Sequence, residues 1–441
     1  MKWKKTLALL VLCPLMLLSP SIPAVADGPR PYLLTVELPS GSTASVRAYQ
    51  DSYADNLYLS LADLSRVLNG TPKQFSIRRE NDTYYVQSGE NPRLTTNAAT
   101  NNTPSIAYLN TYRNKLVVDD HEKRIYTYDT GSDLYMSLTD IMLLFDFTIV
   151  QDSRERVRLQ LDAPFDPSLE AMKAAGYFDA FSAVLLGDAY NGKVLFAANA
   201  ESPVPIASIS KLMTYVLMRE AMDAGTLHSD DAIVISADAS ALSYSADGTI
   251  GMSTGYVVPL QELTEAMLVA SSNESCLAIA EHMAGSEQAF VNRMNARAAE
   301  MGLYSATFYT PHGLPKYSRD PLPAKCQNTM SAKDLFDLSA YILQTYPDIT
   351  DITARQYVHM ATMDYTTANS NPLLFNMEGI SGLKTGSTNK AGSCVVVSMP
   401  MDCGGTTHNI IAVVLGAETA DVRGQCAQIL LEYARNHYTG N

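Results

Sequence analysis

Ser208-Ile209-Ser210-Lys211, running on into Leu212-Met213-Thr214-Tyr215-Val216-Leu217-Met218, governs how the rest of the chain is read. Apolar residues recur there at three- and four-residue spacing, so a helix is expected over about Lys211 to Ala224, with Ala207 and Ser208 at its start. On that helix Ser208 and Lys211 share one face. A serine hydroxyl is a poor nucleophile until a base takes its proton, and a lysine one turn away can do so only when substantially neutral. Burial, the positive end of a helix and a second cation nearby each disfavour the ammonium form.

Two further strings follow in order. Ser271-Ser272-Asn273 falls in the break between two expected helices, over Leu260 to Ala270 and Glu274 to Met283, where a hydroxyl and an amide can point into a cleft. Lys384-Thr385-Gly386 lies on an expected strand that starts at Gly382, with Gly386 small enough to let a ligand approach the backbone. Lys384 can meet a carboxylate, and its charge would lower the pKa of a converging Lys211. Each string alone is weak, since Ser387-Thr388-Asn389-Lys390 repeats the first pattern by chance. The three together, in this order, point to acyl transfer through a serine.

Around these motifs the second part of the chain alternates strands and helices. Phe181 to Asp188 and Gly192 to Ala198 read as a hairpin. Helices are expected over Glu287 to Met301 and Ala332 to Thr345, strands over Ser393 to Met399 and Asn409 to Gly416, and a last helix over Ala420 to Asn436. Upstream, Asp162-Ala163-Pro164-Phe165-Asp166-Pro167 reads as a linker. Before it, Arg30 to about Leu161 reads as a small α+β domain with an internal repeat. Leu57-Tyr58-Leu59-Ser60-Leu61-Ala62-Asp63-Leu64 recurs as Leu134-Tyr135-Met136-Ser137-Leu138-Thr139-Asp140-Ile141, each copy a strand, a serine cap and a helix leading to a second strand. The polar stretch from Ser88 to Ser105 is expected to be a loop.

The 441 residues carry 46% hydrophobic and 18% charged side chains, ordinary for folded domains, and a net charge of −14. So acidic a chain is repelled by nucleic acid, and no basic run outside the first five residues offsets it. Those five open a signal sequence: Lys2, Lys4 and Lys5, an apolar core from Leu7 to Leu18, and a small-residue cleavage site at Ala24-Val25-Ala26. Cleavage before Asp27 would take the charge from −14 to −17. Elsewhere no apolar run reaches the roughly 18 to 20 residues that span a bilayer, so an exported protein without a transmembrane segment is expected. Cys13 lies in the signal, behind a leucine too bulky for a lipoprotein site. Of the remaining cysteines, Cys276, Cys326, Cys394, Cys403 and Cys426, at least one must be unpaired, and their spacing suggests no metal site.

Residues 168–438 resemble the D-alanyl-D-alanine carboxypeptidases of peptidase family S11, the low-molecular-mass penicillin-binding proteins. Beyond the three motifs, the likeness rests on Pro205-Ile206-Ala207-Ser208, Gly285 before a helix holding Met294-Asn295, Phe308-Tyr309-Thr310-Pro311-His312-Gly313-Leu314, and Lys384 to Thr388 followed by Ala391-Gly392. The resemblance implies a β-lactamase/DD-peptidase-like α+β fold, a five-stranded antiparallel sheet flanked by helices, with a helical subdomain carrying Ser271 and Asn273. It implies that Ser208 is acylated, Lys211 is its base, Ser271 relays a proton to the leaving amine and Asn273 orients the substrate. Lys384 and Thr385 would bind the terminal carboxylate, helped by Arg423, and the amides of Ser208 and Ser387 would form the oxyanion hole. The Pro311-His312-Gly313 turn is read as structural. The substrate would be a peptidoglycan stem pentapeptide, β-lactams would be covalent inhibitors, and no metal or organic cofactor is implied.

Residues 27–161 resemble the copper-amine-oxidase N-terminal-like domains of bacterial surface proteins, although His121 is their one histidine and no copper ligand set is apparent. Such a domain implies a spacer or a contact with the cell wall. It stands before the catalytic domain, whereas many relatives carry a small β-domain and an amphipathic helix after it. Two other readings share the motifs. A serine β-lactamase would need a carboxylate or a carbamylated lysine for fast deacylation, and no equivalent glutamate loop is identifiable. A non-catalytic wall-binding module would have no need to keep all six polar motif residues.

Overall fold

A computed structural model describes residues 30–50, 57–92, 108–110, 115–153, 155–166, 168–174, 176–245, 249–318 and 324–440. The signal sequence, Pro167 of the linker and most of the Ser88 to Ser105 loop lie outside the described residues. Among those described, no helix is long and apolar enough to cross a membrane, and all five cysteines are unpaired.

The two repeat copies fold alike at their starts. Ser60 and Ser137 each end a strand and cap a helix, their hydroxyls accepting from the amides of Asp63 and Asp140. The two strands pair antiparallel about a local twofold at Leu59 and Met136, with Tyr58 opposite Ser137 and Ser60 opposite Tyr135. They form the middle of an eight-stranded sheet, and a four-stranded sheet lies beside it. Leu59, Leu61, Leu64, Phe75, Met136, Ile141 and Phe147 share one core.

The second half is built on a five-stranded sheet in the order Lys193–Ala198, Ala183–Asp188, Thr406–Ala417, Gly392–Cys403, Gly382–Thr388. Every neighbouring pair is antiparallel. The central strands read as unbroken apolar runs because both faces are covered. Val396, Ile411, Val413 and Leu415 pack with Leu212, Val216 and Leu335 from the helices Lys211–Asp223 and Ala332–Thr345. Val395, Val397, Ile410, Ala412 and Val414 pack against Cys426, Ile429 and Leu430 of the last helix, Ala420–His437. The strand Gly382–Thr388 is left with one open edge.

Helices Ala237–Ser245, Leu260–Glu265 and Glu287–Glu300 pack on Asn273–Ala284, which itself packs on Lys211–Asp223. The segment expected as one helix to Ala270 instead changes to a π turn over Ala266–Ala270. Ser271 follows with φ +64°, in the left-handed region. Wide turns of this kind recur at functional sites because they re-aim the side chains that follow.

Candidate active site

The nucleophile region departs from the expected continuous helix. Ala207–Ser210 form a 3-10 turn, and the α-helix begins only at Lys211. In a 3-10 turn residues i and i+3 eclipse, so Ser208 and Lys211 are brought closer to one line than an α-helix would bring them. Lys211 Nζ lies 2.8 Å from Ser208 Oγ. Ala207 takes φ +48°, a conformation costing an L-residue about 1 kcal/mol. Neighbours hold it there: Ser210 Oγ donates to the Ala207 carbonyl at 2.7 Å, and Asn328 Nδ2 donates to Ser210 Oγ at 2.8 Å.

Lys211 is fully buried. Its Nζ also lies 2.8 Å from Asn273 Oδ1 and 2.8 Å from the His312 carbonyl. Burial pushes its pKa down to about 8, against the opposing pull of Cys276 and Glu274. A neutral amine has two N–H groups and one lone pair. Asn273 Oδ1 and the His312 oxygen can only accept, so they take the two N–H groups and the lone pair is left facing Ser208. Of the three partners only the serine hydroxyl can donate. Geometry therefore aims the lone pair of a neutral Lys211 at the Ser208 hydroxyl.

Ser208, Ser271, Asn273, Thr385, Gly386, Ser387 and Arg423 line one cleft of about 1480 Å³. Ser272 caps the helix behind Ser271, its Oγ accepting from the Ser275 amide at 3.1 Å, which places Asn273 in the first turn. Thr385 is buried with its hydroxyl 2.5 Å from that of Ser370, and Ser387 is exposed. Arg423 is buried on the first turn of the last helix.

Two further expected residues sit on the edge strand. Lys384 is 1% exposed, and its Nζ donates to the Thr385 carbonyl at 3.0 Å. Burial, then the charges of Lys211 and Arg423, hold its pKa well below the usual lysine range. Lys211, Lys384 and Arg423 thus lie close enough for a charge on one to disfavour a charge on another, and an anion entering there would relieve that repulsion. Gly386 lines the cleft, and the packing beneath it leaves no room for a side chain. A Cβ there would lie 2.8 Å from the Ser208 amide nitrogen and 3.0 Å from the Ile206 carbonyl. Its bareness lets the edge strand press against the nucleophile turn. Gly313 serves the same turn from the other side, with φ +90° and a Cβ position 2.0 Å from the Ala207 oxygen.

Several contributors carry no recognisable sequence pattern. Asn328 accepts from the amides of Tyr309 and Thr310 and donates to Ser210 and the Thr310 carbonyl, tying the nucleophile turn to the loop that supplies the His312 oxygen. The His312 ring is buried, its Nδ1 accepts from Leu314 N at 3.1 Å, and its Nε2 lies 3.6 Å from Glu287. Glu274 is buried, and one of its carboxylate oxygens accepts from the amides of Ile250 and Gly251.

The fold and these side chains set a buried lysine of lowered pKa within hydrogen-bond reach of a serine at the edge of one cleft. Residues 169–419 match the D-alanyl-D-alanine carboxypeptidase family of peptidases, S11, and the chain belongs to that family. It is 31% identical over 263 residues to the D-alanyl-D-alanine carboxypeptidase DacF of Bacillus subtilis, and 29% identical over 280 residues to DacD of Escherichia coli. Those alignments span 59% and 63% of this chain, and 63% and 66% of the respective relatives' own lengths. Among solved structures it is similar to penicillin-binding protein D2 of Listeria monocytogenes in its ampicillin-bound form. That likeness has a TM-score of 0.50 at 29% identity and covers 58% of this chain and 97% of the other. Penicillin-binding protein 3 of Streptococcus pneumoniae gives a TM-score of 0.53 at 31% identity, covering 58% and 73%.

Proposed function

We propose that the chain is a serine D-Ala-D-Ala carboxypeptidase that removes the terminal D-alanine from peptidoglycan stem pentapeptides and is acylated by β-lactams. The observation that carries this is the convergence of Ser208 Oγ, Asn273 Oδ1 and the His312 carbonyl on Lys211 Nζ, at 2.8 Å each, beneath a cleft bordered by an open strand edge.

In this reading Lys211 takes the hydroxyl proton as Ser208 Oγ attacks the carbonyl carbon of the penultimate D-alanine. The amides of Ser208 and Ser387 stabilise the developing oxyanion. The C–N bond breaks, Ser271 passes a proton to the departing amine, and D-alanine leaves. Water, deprotonated by the same lysine, then cleaves the ester and restores Ser208. Lys384 and Thr385 bind the terminal carboxylate, helped by Arg423. The peptide extends along Gly382–Thr388 as an added strand.

Residues 1–26 are proposed as the export signal, 27–161 as a copper-amine-oxidase-N-like module with a cell-wall contact, 162–167 as the linker and 168–441 as the peptidase, acting outside the cytoplasm. The test is release of D-alanine from a D-Ala-D-Ala pentapeptide, with labelled penicillin followed in parallel. Wild type should do both, with label retained on Ser208, and Ser208→Ala should do neither. Rapid shedding of the label without D-alanine release would replace this reading with a β-lactamase.

A further inference from the structure

The N-terminal half reaches the cleft. Tyr126, between the strands His121–Lys123 and Thr127–Asp129, lines the same cavity as Ser208 and Arg423. It is carried there by a short strap docked on the peptidase half. Glu122 accepts from Tyr357 Oη at 3.0 Å, and Lys123 Nζ donates to the Asn376 carbonyl at 3.1 Å. The Arg124 amide and carbonyl both bond the Asn376 side chain, at 2.7 and 2.9 Å, and the Arg124 guanidinium lies 4.1 Å from the Phe375 ring centre. The Tyr126 amide donates to the carboxylate of Asp421, two residues before Arg423. Beyond Tyr126 the chain enters the large N-terminal sheet, so the strap is fixed at both ends.

We infer that Tyr126 is the wall that ends the cleft beyond the terminal carboxylate, and that the N-terminal half thereby sets the enzyme's choice of free C-termini over peptides that continue past that point. This rests on the proposed reaction, in which Arg423 meets the carboxylate. Any residue attached to that carboxylate would have to pass Ala420 and Arg423 on the last helix, where Tyr126 closes the space. A steric wall rejects by clash, and Arg423 alone would reject only the missing charge. Tyr126 is a specificity-determining residue, placed by Asn376 and Asp421.

The experiment uses the full chain and two peptides, one ending in D-Ala-D-Ala and one in which the last D-alanine is extended by an amide-linked glycine. Cleavage after the penultimate D-alanine is read by mass spectrometry. Tyr126→Ala should raise kcat/KM for the extended peptide relative to the free one by about tenfold or more, the scale on which a pocket wall discriminates a small group. Tyr126→Phe should return the ratio to the wild-type value, and Asn376→Ala, which frees the strap, should move it as Tyr126→Ala does. A ratio unchanged within about twofold in Tyr126→Ala, or a phenylalanine variant behaving like the alanine one, overturns the inference while leaving the carboxypeptidase reading intact. Wild type that neither releases D-alanine nor is labelled by penicillin overturns both.

Discussion

Acylation of Ser208 should rise steeply with pH through the mildly alkaline range, because the base must be an uncharged Lys211. Burial sets that lysine's pKa at about 8. The neutral fraction is then roughly one half at pH 8, a tenth at pH 7 and a hundredth at pH 6, and it approaches unity above pH 9. A depressed pKa means that the active form gains population as protons are withdrawn, so the rate climbs with pH and then levels. The second-order rate of labelling by a fluorescent penicillin, measured at low ligand from pH 6 to 9.5, should rise about tenfold per unit up to pH 7 and bend near pH 8. An ordinary solvated lysine would put the bend more than two units higher.

Lys211→Arg supplies the control. A guanidinium keeps its proton throughout this range, so it can donate to Asn273 and His312 but cannot accept from Ser208. Labelling should fall by about 10²- to 10⁴-fold, the usual contribution of a general base, and should stay low at pH 9.5. A wild-type rate that is flat from pH 6 to 8, or an arginine variant that recovers with pH, would refute the assignment of Lys211 as base.

Gly386→Ala puts a methyl 2.8 Å from the Ser208 amide nitrogen, against backbone that has little room to give. It should cost about 1 to 3 kcal/mol of stability by overpacking, and it should slow penicillin labelling at least tenfold through displacement of the nucleophile; a native labelling rate would refute the close-approach account. Arg423→Ala should raise KM for the pentapeptide with much less change in kcat, since it removes a contact made equally in ground and transition states, and an unchanged KM would exclude it from carboxylate binding. At the interface between the halves, Gln425 Nε2 bridges Asp140 and Asp421 at 2.9 and 3.2 Å. Burial raises both carboxyl pKa values, and the Asp140 charge raises that of Asp421 further. Raised carboxyls bind protons more tightly folded than unfolded, so stability falls as pH climbs from about 4 through the raised values. Asp421→Asn should flatten that fall and raise the melting temperature at pH 7.5 by a few degrees; an unaltered slope in calorimetry from pH 5 to 8 would refute it.

What was legible in the sequence was whatever local order encodes. The repeat at Leu57 and Leu134 announced two strands ending in capping serines because a serine followed three residues later by an aspartate is a short-range signal, complete within one turn. The apolar runs at Val395 and Ile410 announced strands covered on both faces for the same kind of reason. Ser208, Ser271 and Asn273 were legible because Ser208 lies at an expected helix start and Ser271 and Asn273 in the break between two helices, and all three line the cleft.

Less legible are the positions whose surroundings the fold brings from far away. Gly386 reads as an opening for a ligand, and only the fold shows that the Ser208 turn, nearly 180 residues earlier in the chain, is laid against it as well. Lys384 reads as a ligand for carboxylate, and only the fold shows its amine buried and donating to its neighbour's carbonyl. Asn328 has nothing around it to mark it, yet it makes four bonds in the wall behind Ser208. Tyr126 belongs to a half of the chain with no motif of acyl transfer at all. Its place at the cleft follows from Asn376 and Asp421, which are polar residues of ordinary type until a second domain docks on them. Nucleophile and base are thus a local device, written within four residues, whereas the limits of the cleft are a property of the assembled chain. Substitutions at the strap should therefore alter which peptides are cut while sparing how the bond is broken, and the ratio measured for Tyr126→Ala separates the two.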